Sequence, residues 1–229
     1  MKYVLFLLVM LSLDAQAQEF YRCQMGEFPD HLTPLRYPAS QYDQLVRDML
    51  VVTEGKYGRF LVKPSFQAEY SVSVDAAVAP ADIGKDHRFV KDKDRLYHLT
   101  LTRANKSIWS AMPRNDDPGE LESLEVIRVD REISFELAVA IQRSWGRMVQ
   151  QTRYPRQVLV GSDGCNYEFS VWVWAMGFIY GKTWSPEGGL RLEIVEIGED
   201  LVQLAENAEI QEASLLKKLR DFEAQLPNP

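Results

Sequence analysis

The chain has 229 residues and a formal net charge of −7, and 46% of its residues are hydrophobic. This length and apolar content are sufficient for a sizeable core in one large domain or two small ones. The acidic balance and the lack of any basic run longer than two residues disfavour nucleic acid and anionic lipid as partners.

Residues 1–17 have the pattern of a secretory signal peptide. Lys2 precedes an apolar run from Tyr3 to Leu13, and Ala15 and Ala17 provide the small residues expected before a cleavage position. The run is shorter than the roughly 20 residues that span a bilayer, so an uncleaved anchor is the less favoured alternative. The sequence therefore predicts a periplasmic or secreted protein, with cleavage after Ala17 and no membrane span afterwards.

Two cysteines, Cys23 and Cys165, lie beyond the predicted cleavage position. In an oxidising compartment they predict one disulfide, which would close a loop of about 140 residues and contribute roughly 4 to 5 kcal/mol at most. Two separate thiols are the alternative, because the sequence does not show whether the two Cα atoms lie within bonding distance.

The first half of the mature chain predicts an arm, one helix and several strands. Prolines recur in residues 18–39 without a sustained period, which favours an extended N-terminal arm. Ser40 is the predicted N-cap of a helix, with Asp43 completing a capping-box variant. One face of that helix is apolar: Tyr42, Leu45, Val46, Met49 and Leu50. Alternating residues predict strands over 66–74 and 97–101, with a short strand at 107–112.

The second half predicts a strand, a helix, a meander and two further helices. Residues 124–129 form the strand, and Ser134 begins a helix that is expected to end before Pro155. The apolar stripe of this helix comprises Leu137, Ala138, Ile141, Trp145, Met148 and Val149. The Asp163-Gly164 pair and the segment 175–177 are two predicted reversals, which would join three strands into a meander. Amphipathic stretches after Leu190 predict the C-terminal helices.

Together these elements predict an α+β fold. We expect a largely antiparallel sheet, with a C-terminal meander packed against amphipathic helices, in a single domain over residues 40–226.

No motif in the sequence predicts a catalytic or metal centre. His31, His87 and His98 have no metal-ligand spacing, so neither a metal nor a cofactor is predicted. Four acidic residues are nominal candidates for hydrolysis by paired carboxylates: Glu69, Asp116, Asp117 and Glu168. Their positions in a Pro/Gly loop or on the polar side of strands are explained by solvation alone.

Aromatic residues near the second reversal have two interpretations. Trp172, Trp174, Tyr180 and Trp184 would form a stacking surface for a sugar or a protein if they are exposed. A strand that is apolar on both sides is equally typical of a central strand covered on both faces, and core is the favoured interpretation for the tryptophans. Trp184, in the turn that follows Lys182, is then the tryptophan expected to be most exposed.

Three segments carry a family resemblance. They are Arg153-Tyr154-Pro155, the Asp163-Gly164 turn followed by Tyr167-Glu168-Phe169, and the stretch GFIYGKTWSP from Gly177 to Pro186. Together they resemble a pattern in small exported proteins of unknown function from Gram-negative bacteria. The resemblance implies export and no particular activity. Cys165 stands where that pattern more usually has threonine, which implies that the disulfide is not general to it.

These observations favour a non-catalytic binding protein that neutralises or docks on another envelope or extracellular protein. The predicted binding surface comprises Trp172, Trp174, Tyr180, Lys182 and Trp184. The alternative is a carboxylate-dependent envelope hydrolase, whose acidic pair would assemble only in three dimensions.

Overall fold

A six-stranded antiparallel sheet organises the described part of the chain. The computed structural model describes residues 30–35, 39–77, 95–113, 119–155 and 163–227. The strands are β1 (Gly58–Pro64), β2 (Tyr70–Ala77), β3 (Leu96–Ala104), β4 (Val126–Ile133), β5 (Cys165–Val173) and β6 (Gly177–Trp184). Their order across the sheet is β4-β3-β2-β1-β5-β6. All neighbouring pairs are antiparallel, so β4 and β6 form the two edges.

Five helices and one short 3₁₀ helix accompany the sheet among the described residues. They are α1 (Gln41–Leu50), α2 (Ile108–Ala111), α3 (Phe135–Gln150), α4 (Gly189–Glu206), α5 (Glu212–Gln225) and η1 (Leu121–Ser123). The α+β prediction, with its largely antiparallel sheet and its helices packed on the C-terminal strands, is confirmed. No helix of the described residues is long and apolar enough to cross a membrane.

The main core lies between one face of the sheet and the helices α3, α4 and α5. Phe60, Val72, Leu99 and Phe169 supply buried side chains from four strands, and the apolar stripes of the three helices pack on them. The predicted α3 stripe is confirmed, because all six of its residues are buried. We call this side of the sheet the helical face.

A smaller core lies on the opposite side, which we call the α1 face. Val46 and Leu50 of α1 pack there with Leu61, Ala104 and Ile108. The predicted capping box is present, since the Ser40 side chain accepts a hydrogen bond from the backbone N–H of Asp43 and the Asp43 carboxylate accepts one from Ser40. The predicted apolar face of this helix also packs in the smaller core.

Gly198 lets α4 approach the sheet closely. A Cβ atom at this position would lie 2.7 Å from the Phe60 ring, which is closer than carbon atoms pack. The glycine lies inside the helix without ending it, and its missing side chain makes room for Phe60.

Two local predictions are wrong, and one strand was not predicted. Within the expected strand 107–112, Ile108–Ala111 form the short helix α2, because the carboxylate of Glu69 accepts hydrogen bonds from the N–H groups of Ile108 and Trp109. Phe66 is 78% exposed and precedes β2, so the strand begins four residues later than the alternation indicates. Strand β1 was not predicted, because six of its seven residues are buried and the alternation is lost.

The meander is confirmed for β5 and β6, which pair as a hairpin. Its expected third strand precedes Asp163, in residues that lie outside the described part of the chain. In the described residues β5 has β1 as its other neighbour, with Phe60 opposite Phe169. This pairing joins segments about a hundred residues apart, which a local turn signal does not reveal.

The signal peptide and most of the predicted arm also lie outside the described residues. The described end of the arm joins the fold, since Leu32 is fully buried in the main core and Thr33 forms an antiparallel bridge with Lys182.

Candidate functional site

The structure brings four of the five predicted surface residues onto one face of the β5–β6 hairpin. Trp172 lies opposite Phe178, Ser170 opposite Tyr180, and Glu168 opposite Lys182. Trp184 continues the same alternation at the end of β6. Because alternate residues of a strand share a face, these side chains form a stripe along the α1 face at the sheet edge. We call Trp172, Trp174, Phe178, Tyr180, Lys182 and Trp184 the aromatic stripe.

The tip of the hairpin is the most exposed part of the stripe. Trp174 is 82% exposed, Met176 63% and Phe178 36%. The turn closes through a hydrogen bond from the Met176 N–H to the Val173 carbonyl, at 3.1 Å. Gly177 follows with φ of 76°, a left-handed conformation that glycine adopts without strain. The turn therefore holds a large apolar side chain in solvent.

The expectation that the tryptophans are mostly core, with Trp184 the most exposed, is wrong. Trp174 lies beyond Val173 and Gly177, the last pair of the ladder, in the turn itself. Trp184 is partly buried, because its indole packs so closely on Gly164 that a Cβ there would lie 2.7 Å from the indole nitrogen. The exposure of a side chain at this hairpin thus depends on whether it lies in the turn or along the paired strands. The apolar character of the segment alone does not reveal this.

The tip is held in a defined arrangement by its neighbours. The rings of Trp172 and Trp174 meet edge to face, with centroids 5.9 Å apart. The Nζ of Lys56 lies 5.2 Å from the centroid of Trp172, a cation–π contact. Gln142 of α3 donates a hydrogen bond to the Trp172 carbonyl at 3.2 Å. Such fixed aromatic groups lose little conformational entropy when they bind a partner.

A buried ionic cluster lies behind the stripe on the α1 face. Glu168 is nearly excluded from solvent and accepts hydrogen bonds from Arg47, at 2.5 Å, and from Lys63. Lys63 also donates to Asp43 at 2.6 Å. Burial by itself would raise the pKa of Asp43, but hydrogen bonds from Lys63 and Ser40 outweigh it and lower the pKa. The cluster ties α1 to β1 and β5.

Arg59 extends this cluster, since its charge interacts with those of Arg47 and Glu168. Its side chain is 1% exposed and donates one hydrogen bond to Glu54, at 2.9 Å. The Nε and Nη2 atoms of Arg59 have no hydrogen-bond partner among the described residues. Burial lowers the pKa of this guanidinium, while burial and the nearby Glu54 raise the pKa of the Tyr180 hydroxyl. Arg59 is therefore a buried guanidinium with a hydrogen bond from one of its three nitrogen atoms among the described residues.

The expectation that Glu69 and Glu168 lie on a solvated polar face is wrong, because both are buried and both have structural partners. Glu69 is fully buried and accepts hydrogen bonds from the Tyr42 hydroxyl, at 2.7 Å, and from the start of α2. Glu168 belongs to the ionic cluster, and Asp116 and Asp117 lie outside the described residues. No hydrogen bond or ion pair in the described part of the chain joins two of these acids. The hydrolase alternative stays a prediction without an observation in its favour.

Cys165 begins β5 and is partly buried. Burial raises the pKa of its thiol to about 11. The group is therefore protonated at neutral pH, and a protonated thiol is a weak nucleophile. Cys23 lies outside the described residues, and the disulfide stays a prediction. Among the residues that the structure describes, no group of three His, Cys, Asp or Glu side chains could hold a metal ion. His87 lies outside those residues, as do the signal peptide and its cleavage position.

Sequence reasoning named five members of the stripe as a possible binding surface while favouring core for the tryptophans, and it missed both Phe178 and the cluster. Arg47, Arg59 and Lys63 were not selected, because a lysine or arginine in sequence is ordinarily a solvated residue. In Gly58–Pro64 three consecutive apolar residues stand between two cations without alternation, so this segment gave no signal for the cluster.

No family model, curated protein or solved structure matches this chain.

Proposed function

We propose that this chain is an exported, non-catalytic binding protein that docks on another envelope or extracellular protein through the aromatic stripe. The observation that carries the proposal is the exposure of Trp174 at the hairpin tip, beside the exposed Met176 and Phe178. Large apolar side chains clustered in solvent are uncommon on soluble proteins unless they bind something. Export is proposed from residues 1–17 and from the resemblance of residues 153–186 to small exported proteins.

The chemistry of the stripe indicates the kind of partner surface. Trp174 and Met176 would enter an apolar pocket, and tryptophan is among the residues that carry most binding energy at interfaces. Lys56, which is exposed beside Trp172, and Lys182 lie near these aromatic groups and favour acidic groups at the rim of that pocket. The partner surface is therefore expected to combine an apolar pocket with an acidic rim.

The test compares Trp174→Ala with Phe66→Ala in binding to a partner captured from envelope extract and then purified. Phe66 is the matched control because it is 78% exposed and follows β1, whose Pro64 pairs with Cys165 at the end of β5 far from the tip. We expect Trp174→Ala to raise the dissociation constant roughly 30-fold, as for a central interface tryptophan. Phe66→Ala should leave the constant unchanged.

Equal dissociation constants for the two variants would show that the aromatic stripe is not part of the interface with the partner. If no protein is retained by the unmodified chain, the binding role itself is rejected.

A further inference from the structure

The two edges of the sheet differ in their protection against pairing with another strand. In β4, charged side chains occupy half of the strand: Arg128, Asp130, Arg131 and Glu132. Charges along an edge oppose the addition of a further strand. In β6, the segment Gly177–Gly181 has no charge and no proline, and Lys182 carries the only charge of the strand.

The end of β6 that lies away from the hairpin turn, at Lys182, is already paired. Thr33 and Lys182 exchange both backbone hydrogen bonds, each 2.8 Å long. Lys182 therefore directs its backbone groups away from β5, and so do Tyr180 and Phe178, because these directions alternate along an antiparallel strand. The N–H and C=O groups of Phe178 and Tyr180 have no backbone partner among the described residues beyond this edge. Among the described residues, the part of β6 near the hairpin turn, at Phe178 and Tyr180, is therefore an open edge.

The sequence of this open edge is nearly symmetric. Read in either direction, GFIYG has glycines at its ends, an aromatic residue next to each glycine, and Ile179 at its centre. An antiparallel pair of identical strands is related by a two-fold axis, so each residue meets the residue at the mirrored position. A segment with this symmetry is complementary to itself.

We propose that two copies of the chain associate through their β6 edges, with the two-fold axis at Ile179. Only this register pairs the N–H and C=O groups of both Phe178 and Tyr180 in each copy. Phe178 then lies opposite Tyr180 of the partner subunit, which gives two aromatic cross-strand pairs. Ile179 lies opposite its own copy, and no like charges face each other within the segment.

The register also fits the ends of the open edge. Met176, the last residue of the turn, falls at the level of the other copy's Lys182, whose outward backbone groups are taken by the Thr33 bridge. Antiparallel partners place directly opposed residues on the same face, so the two α1 faces form one continuous surface. The dimer would present two aromatic stripes side by side. This inference goes beyond the proposed function and does not rest on it.

Two double variants that differ only at residue 178 test the register. Phe178→Glu with Tyr180→Glu places like charges opposite each other across the axis. Phe178→Lys with Tyr180→Glu places opposite charges there. Both variants share Tyr180→Glu, so any effect of this change on the nearby Arg59 and Glu54 is the same in each. The solution mass of each purified protein is measured by sedimentation equilibrium over a range of concentrations.

We expect a dimer mass for the unmodified protein and for the Lys/Glu variant, and a monomer mass for the Glu/Glu variant. The dissociation constants of the two variants should differ by roughly tenfold or more. The proposal is overturned if the unmodified protein is a monomer. It is also overturned if the two variants have the same dissociation constant, because a register that pairs residue 178 or residue 180 with its own copy places like charges opposite each other in both variants.

Hydrogen exchange of the unmodified protein gives a second test that needs no variant. In a dimer the amides of Phe178 and Tyr180 are protected, and their protection increases with protein concentration. Fast exchange of both amides at every concentration would reject the β6 interface. Neither measurement uses a binding partner, so its failure leaves the proposed docking role untouched.

Discussion

At Glu168, two cations converge on one carboxylate that is nearly excluded from water. Lys63, with 8% of its side chain exposed, and Arg47 both donate to it. Removing one member of a buried ion pair leaves an uncompensated charge, which costs more than the pair contributes. We therefore expect Glu168→Gln to lower the free energy of unfolding by about 3 kcal/mol, measured by urea denaturation.

The exposed pair Lys217–Asp221 provides the control for that variant. Both side chains are mostly in solvent, and the Nζ and Oδ2 atoms are 2.6 Å apart within one helix. Asp221→Asn should leave the urea midpoint unchanged, because exposed ion pairs contribute little. Equal losses for the two variants would show that burial of the cluster is not what makes Glu168 important.

At the scale of single elements, alanine substitutions at two glycines inside helices are expected to change the free energy of unfolding in opposite directions. In α3, a Cβ at Gly146 would lie 3.7 Å from Val173, an ordinary contact. In α4, a Cβ at Gly198 would lie 2.7 Å from the Phe60 ring. We expect Gly146→Ala to raise the free energy of unfolding by about 0.5 to 1 kcal/mol through helix propensity. We expect Gly198→Ala to lower it by about 1 to 3 kcal/mol through overpacking.

Thermal or urea denaturation of both alanine variants distinguishes these effects. The two positions share helix context and the same substitution, so intrinsic propensity is the same in each. If Gly198→Ala stabilises as much as Gly146→Ala, the close approach of α4 to β1 is wrong.

The elements that were predicted correctly are those with strong local signals. α1 has its capping box at Ser40, α3 has a regular apolar stripe after Ser134, and the β5–β6 hairpin has Gly177 at its reversal. Strand β1 has no such signal, because it is covered on both faces and contains the buried Arg59 and Lys63. The helix α2 depends on Glu69, whose carboxylate caps it from a distant part of the chain.

The same distinction holds for the candidate site. Alternation along β5 and β6 is local, and with the hairpin register it puts Trp172, Tyr180, Lys182 and Trp184 on one face. The ionic cluster needs α1, β1 and β5 to meet, and the β1–β5 pairing spans about a hundred residues. Pairing at that separation is decided by the whole core rather than by any short segment.

At the scale of the whole molecule, the two sides of the sheet are covered very unequally. Three long helices bury most of the core on the helical face, whereas α1 contributes Val46 and Leu50 to a cluster of five buried residues on the other. Each large side chain that is fully buried contributes roughly 1.5 to 3 kcal/mol. The α1 layer is therefore expected to open locally without unfolding the rest of the molecule.

Native-state hydrogen exchange tests this difference. We expect the amides of α1 to exchange with a free energy of opening about 3 kcal/mol below that of the α3 amides around Trp145, because α3 buries at least two more large side chains. Opening of α1 also separates Arg47 from Glu168 and Asp43 from Lys63, so Glu168→Gln should speed exchange in α1 more than in α3. Exchange of both helices at one common free energy would mean that the two layers unfold as a single unit, with the buried ions joining them.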